Sequence, residues 1–391
     1  MKIAVVVDVN PKKRGAMKAV GLRVAEIYES LGVSHQITEV KICKKVKKWR
    51  FLSDLKQQEN GFFIEIGLFQ SLILHRVCQN TRRFSDIIVN SYINYFSRFV
   101  RKQGFDLIIF PGPSMWAIYF PKCPVISSVW DIGHVELPNL LEFRNSRYSE
   151  LRNLVIFKTM RLSRFITTES EYLREIFGHK FLKGGDNLVS IPFLPSGTPM
   201  NLSLVEDNNE NDLDFALYPA NSWSHKNHLV LFKAMSNIIS RGEVPRKLVL
   251  TGFHYQQSRK LLEFIEKFRL TNFVEIKGNI TNLELYSYYK TCKLLVMPSL
   301  LGPTNLPPLE AVYFGKPVFV STNHKYDSSL IDFFNFVDPY TPGDWEVCFD
   351  KKSVFTSPDE SIVFKAFEKI RVENLLKWKK MVDIIEFESQ F

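Results

Sequence analysis

Short apolar runs alternate with amphipathic helical patterns along most of this chain, and that rhythm limits its fold more than any other feature. The first series falls at 3–9, 106–110, 124–129, 164–168 and 188–193; the second falls at 214–218, 247–251, 273–276, 294–297 and 317–321. Strands joined by helices pair in parallel and are covered on both faces, so the expected class is α/β with doubly wound parallel sheets. A single core stops growing near ~250–300 residues. The 391 residues therefore predict two domains. Between the two series lies PSGTPMNLSLVEDNNENDLD, residues 195–214, polar and without strand or helix period. The boundaries read from these patterns are a first Rossmann-like domain at 1–195, a linker at 196–213, a second Rossmann-like domain at 214–370, and a helix at 371–391 that returns to the first domain. Two such domains facing each other form a central cleft lined by the carboxyl ends of strands, where open α/β sheets bind ligands.

Several function classes lack support. No apolar window is long enough to span a bilayer. MKIAVVVDVN reads as a strand and not as a secretory leader, so a cytoplasmic location is expected. The five cysteines (Cys43, Cys78, Cys123, Cys292, Cys348) are scattered, with no CxxC pair, and are read as reduced. HExxH, GxSxG, GxxxxGK and a strand-linked GxGxxG are all missing. Asp212-Leu213-Asp214 is a D-x-D, but it ends an acidic linker and enters a strand, so no metal site is assigned to it.

Charge is lopsided. The net charge is +10, yet residues 1–190 hold 29 Lys and Arg against 17 Asp and Glu, leaving 22 against 24 for the rest. The densest basic piece, KICKKVKKWRF at 41–51, is open to three readings: a solvated loop, an anionic membrane contact, or a nucleic-acid contact. No RNA- or DNA-binding module accompanies it, so nucleic acid is not expected as a partner.

Three stretches carry chemistry. In GPTNLPPLEAVYFGKPVFVST, residues 302–322, Asn305 is the expected N-cap of a helix with Pro307 and Pro308 in its first turn and Gly315 at its stop. The amides of Thr304, Asn305 and Leu306 then offer an anion site at a helix N-terminus. Glu310 is either an acceptor for paired hydroxyls, such as a ribose diol, or an acid serving the helix dipole or a surface ion pair. In YPANSWSHKNHLVLFKAM, residues 218–235, His225-Lys226-Asn227-His228 opens an amphipathic helix, so Lys226 is either a phosphate partner or an ordinary surface lysine. In PVISSVWDIGHVELPNL, residues 124–140, a buried run ends in Trp130-Asp131 with His134 three residues on; these orient a hydroxyl or stabilise charge, or else serve turn and cap chemistry.

Taken in this order, the three stretches resemble the GT-B-fold retaining glycosyltransferases called glycosyl transferases group 1, or family 4. MPSLLGPTNLPPLEAVYFGKPVFVS is similar to that family's donor-binding signature, YPANSWSHKNH to its phosphate-binding lysine loop, and WDIGHVELP with SRFITTESEYLREIFG to its middle region. KKRGAMKAVGLRVAEIYESLG matches the first glycine-bearing loop and helix more loosely. The resemblance implies donor contacts from Gly15, Asn221, His225, Lys226, Gly302, Pro303, Thr304, Asn305, Leu306 and Glu310, with Asp131, His134 and Lys226 nearest the chemistry. It implies a nucleotide-diphosphate sugar as donor, a saccharide acceptor that is lipid-linked in cell-surface polysaccharide synthesis, retention of configuration, and no cofactor or metal. The enzyme would be a hexosyl- or deoxyhexosyltransferase, peripheral on the inner membrane through its basic first domain. Three departures stand out: the first acid of the family's E-x7-E falls at Gly302, its usual arginine at Ala220 or Asn221, and the histidine often found before Asp131 at Trp130. Alternatives from the residues alone are a sugar-nucleotide epimerase or phosphorylase of similar fold, and a non-catalytic scaffold.

Overall fold

The structure, a computed structural model, describes residues 1–9, 14–45, 54–58, 61–67, 84–120, 123–144, 146–181, 187–195, 214–252, 259–302 and 304–390. The expected linker, 196–213, lies outside them. Two compact units emerge. Met1–Glu136, Asn145–Pro192 and Arg371–Phe391 make the first; Leu137–Arg144 and Phe193–Ile370 make the second.

The first unit opens with β1 (Lys2–Val9), α1 (Arg14–Leu31), β2 (Gln36–Lys45), β3 (Asp54–Gln58) and β4 (Gly61–Gly67). It continues through α2 (Phe84–Gln103), β5 (Leu107–Ile109), β6 (Val125–Val129), α3 (Gly133–Glu136), α4 (Ser146–Leu162), β7 (Phe165–Thr168), α5 (Glu171–Phe181) and β8 (Leu188–Ser190). Its sheet runs β3-β4-β2-β1-β5-β6-β7-β8, parallel except where β3 pairs with β4. Because side chains alternate along β1, Ala4 and Val6 pack on one face with Phe96, Phe99 and Trp116. Ile3 and Val5 pack on the other with Ile27, Leu31, Trp378, Met381 and Val382. Both faces are thus covered, as a parallel sheet requires.

The second unit holds β9 (Phe215–Pro219), α6 (His228–Ser240), β10 (Lys247–Thr251), α7 (Arg259–Lys267), β11 (Val274–Ile276), α8 (Asn282–Thr291) and β12 (Leu294–Met297). After these come α9 (Leu306–Tyr313), β13 (Val318–Ser321), β14 (Phe334–Val337) and α10 (Glu360–Glu388). Its six strands are all parallel, in the order β11-β10-β9-β12-β13-β14. From Arg371 onward α10 belongs to the first unit, where Trp378, Met381, Val382 and Ile385 close the core under β1 and β5.

Three readings need correction. Residues 41–45 of the basic stretch are not a loop: they finish β2, where Val40 and Ile42 are fully buried while Lys41 turns outward to Glu39. Alternation, not charge density, decided that segment; residues 46–51 lie outside the described part. Strands β2, β3, β4 and β14 were not foreseen. The contiguous first domain at 1–195 is interrupted, since Leu137–Arg144 joins the second unit. There Glu142 accepts hydrogen bonds from the 224–225 loop.

Candidate functional site

In the second unit the strand order reverses between β9 and β12, so the loops leaving their carboxyl ends diverge and open a crevice. Lys226 and Asn305 lie on those two loops. After β9 the chain makes a 3-10 turn, Ser224–Lys226, and Asn227 then takes a left-handed backbone (φ 53°, ψ 38°) to enter α6. Several bonds pin this loop. The Asn227 amide donates to the carbonyls of Pro298 (3.3 Å) and Pro339 (2.7 Å), and Leu300 N donates to the His225 carbonyl at 2.7 Å. The Tyr218 hydroxyl donates to the Lys226 carbonyl. The Lys226 ammonium then reaches across and donates to Asn305 Oδ1 at 3.0 Å.

Asn305 holds the N-cap position of α9 by its backbone (φ −131°, ψ 140°), yet its side chain caps nothing. The physical reason is in the sequence: an N-cap side chain accepts from the second or third helical N–H, and those positions are Pro307 and Pro308. Freed from that duty, the amide group accepts from Lys226. It also donates to the Gly302 carbonyl at 3.3 Å and lies 3.1 Å from His324 Nε2. Gly302 has φ +94°, and a Cβ there would come within 3.2 Å of Asn305 Nδ2. A glutamate at this position would be strained. Thr304 is nearly buried, and its hydroxyl finds no hydrogen-bond partner among the described residues. Leu306 is the first residue of α9, and Pro303 lies outside the described part.

Glu310 is not a surface acid. Only 2% of it is exposed, and Oε2 accepts from the Tyr289 hydroxyl at 2.8 Å. Burial and then the Glu310 charge push the Tyr289 phenol well above its usual range, so it stays a donor. His225 Nδ1 lies 2.6 Å from Glu142 Oε1, and the Ser224 hydroxyl donates to Oε2 of the same carboxylate. Burial alone would raise the Glu142 pKa. The bonds from His225 and Ser224 outweigh it and hold the carboxyl at about 2. Asn221 closes a turn, its Oδ1 accepting from Trp223 N at 3.3 Å, and so does not replace the family's arginine as a cation.

The remaining candidates lie in the first unit. Gly15 is the second residue of α1. Asp131, just past β6, accepts from Gly133 N at 3.0 Å and from Arg152 at 2.6 Å. Its burial would raise its pKa, but the Arg152 charge and these hydrogen bonds lower it on balance. This carboxylate is an ionised turn and ion-pair group. His134, on α3, is 4% exposed, and its Nε2 lies 2.9 Å from Asn153 Oδ1. Burial, then the Arg152 charge, lowers its pKa and keeps the ring neutral near pH 7. Glu142, Tyr289, His324, Arg152 and Asn153 were not foreseen, and no local pattern marks them; only the paired prolines hinted that Asn305 would turn away from its helix.

Residues 204–346 match the family model described as glycosyl transferases group 1. Solved structures share the whole fold. A sucrose-phosphate synthase from Thermosynechococcus elongatus is 16% identical, with TM-score 0.64 over 100% of this chain and 98% of that one. The E. coli trehalose-6-phosphate protein bound with UDP-2-fluoro glucose is 10% identical, with TM-score 0.65 over 98% and 99%. Anabaena Alr3699/HepE in complex with UDP and glucose is 13% identical, with TM-score 0.61 over 100% of both chains. No curated protein sequence matches.

Proposed function

We propose that this chain, which carries a glycosyl transferases group 1 match over residues 204–346 of a two-domain GT-B fold, moves a hexosyl or deoxyhexosyl group from a nucleotide diphosphate to a saccharide hydroxyl. The observation that carries the reading is the 3.0 Å bond from Lys226 to Asn305 across the switch point, beside the N-terminus of α9. A diphosphate there meets one fixed ammonium and the positive end of a helix. In the transfer, the acceptor oxygen bonds to the anomeric carbon as the bond to the β-phosphate oxygen breaks. The electron pair leaves with the diphosphate, and the acceptor's proton passes to phosphate or solvent. Lys226 and the amides of Thr304 to Leu306 stabilise the charge that develops. Glu310, oriented by Tyr289, receives the ribose hydroxyls. His134 serves the acceptor side, and Asp131 holds its loop. No metal is needed in this scheme. Retention of configuration and a lipid-linked acceptor follow from the family resemblance, and the basic first half supports reversible binding to an anionic membrane surface.

Thermal stability against UDP, GDP, dTDP, ADP and CMP tests the reading. A nucleotide at 100 times its dissociation constant should stabilise the wild type by about 2.7 kcal/mol, and Lys226→Ala should remove most of that. If no nucleotide raises the melting temperature, the enzyme reading fails and a non-catalytic scaffold takes its place. An acid-free loop at Gly302 would suit that outcome.

A further inference from the structure

We infer that Lys226, Asn305 and His324 form a one-way hydrogen-bond relay in which His324, accepting through Nε2, locks the Asn305 amide and so aims the Lys226 ammonium; the inference rests on the donor-site reading above. The direction follows from what each group can do. Lysine only donates, so the Asn305 atom facing it at 3.0 Å must be Oδ1. A carbonyl only accepts, so the atom facing the Gly302 carbonyl at 3.3 Å must be Nδ2. A flipped amide would set NH2 against ammonium and oxygen against oxygen. Nδ2 therefore also donates to His324 Nε2 at 3.1 Å, and that nitrogen carries no proton. His324 is then the Nδ1–H tautomer.

The Nδ1–H of this tautomer has no hydrogen-bond partner among the described residues, a cost that the bonds of the Asn305 amide to Lys226, Gly302 and His324 offset. His324 is 1% exposed, and burial, followed by the charges of Lys226 and Lys325, lowers its pKa to about 3. Tyr326 meets the ring edge-on at 5.8 Å. A neutral ring keeps a second positive charge from pushing Lys226 away. The relay also explains why a primary amide suits position 305: it accepts from an ammonium on one side while donating to a carbonyl and an imidazole on the other. His324 is a positioning residue that acts through Asn305.

The test needs no nucleotide at its first step. Long-range 1H–15N correlation of the histidine rings at pH 7 should show His324 protonated on Nδ1 and bare on Nε2. An imidazolium or an Nε2–H tautomer overturns the relay whether or not the protein binds nucleotides. The second step reads UDP affinity. Replacing the acceptor by His324→Leu should weaken binding by roughly fivefold to tenfold, the effect of one lost hydrogen bond to a group that orients a charge. His324→Gln places an oxygen near the lost Nε2 and should recover affinity to within about twofold. Equal affinities for the Leu variant and the wild type, both folded by melting temperature, overturn the relay. So does equal weakening by Leu and Gln.

Discussion

Replacing Glu310 separates its structural part from its part in ligand binding, because the two depend on different features of one carboxylate. Tyr289 is fully buried and donates to Oε2 at 2.8 Å. Glu310→Ala strips that hydroxyl of its acceptor, at about 1–3 kcal/mol, and empties the space of the side chain, at about 1 kcal/mol more. The expected loss is about 2–4 kcal/mol. For a unit of this size that lowers Tm by roughly 5–12 °C. Glu310→Gln keeps an acceptor for Tyr289 and should cost less than about 1 kcal/mol. Scanning calorimetry of both variants, with Tyr289→Phe and the double variant Glu310→Ala/Tyr289→Phe, closes a cycle in which the two single losses are not additive. If Gln is as damaging as Ala, or if the two losses simply add, the Tyr289 bond is not what holds this acid in place. UDP affinity measured on the Gln variant then reports the ribose role without the fold defect. A large affinity loss in the Ala variant alone would report unfolding and nothing about recognition.

Other consequences follow from single contacts. The Glu142 carboxyl is depressed from 4.5 to about 2, so its stabilisation is complete above pH 4.5 and is lost as pH falls toward 2. Subtracting the stability-against-pH curve of Glu142→Gln from that of the wild type should leave a step of at most about 3 kcal/mol in that window, and a flat difference would refute the pairing with His225 and Ser224. Arg246 is 1% exposed and donates to Asp214 at 2.5 Å and to the Cys348 carbonyl at 2.6 Å. Asp214 is itself 43% exposed, so Asp214→Ala should cost about 1–3 kcal/mol in denaturant unfolding, while adding Mn2+ to the wild type should leave the midpoint unchanged; a metal-dependent midpoint would restore the D-x-D reading. Trp378 is fully buried under the first sheet and its indole N–H has no hydrogen-bond partner among the described residues. Trp378→Ala should cost about 3–5 kcal/mol and Trp378→Phe less than half of that; equal losses would point to a polar contact at the ring.

Where the sequence was legible, the pattern and the environment said the same thing. The buried strands β12 and β13 are short apolar runs bounded by breakers, and both were placed to within a residue. Gly315 ends α9 at φ +67° as its position implied. β2 is hard to read because one face of it is charged: Glu39 and Lys41 alternate with the buried Val40 and Ile42, so the charge run masks a period of two. Asn305 shows a different limit. Its identity suggests a cap, and the prolines two and three residues later cancel the donors a cap would need. Reading both together would have left an unemployed amide beside a lysine loop.

Glu142 marks the point where local reading ends. It sits in LEFRNS, between α3 and α4, and nothing in those residues distinguishes it from a turn. Its partners, Ser224 and His225, are some eighty residues away in the chain and share the 3-10 turn of Lys226. A carboxylate held at about 2 by those partners has been matched to them by the tertiary fold and not by any neighbour in sequence. The same holds for Tyr289 with Glu310 and for His324 with Asn305: in each pair, one member lies in a motif and the other comes from a separate element. The motif residues are thus oriented by partners that come from the packing around them. Variants at Glu142 should accordingly alter pH dependence and those at Tyr289 and His324 affinity, and the motif residues Lys226 and Glu310 should alter whether nucleotide binds at all.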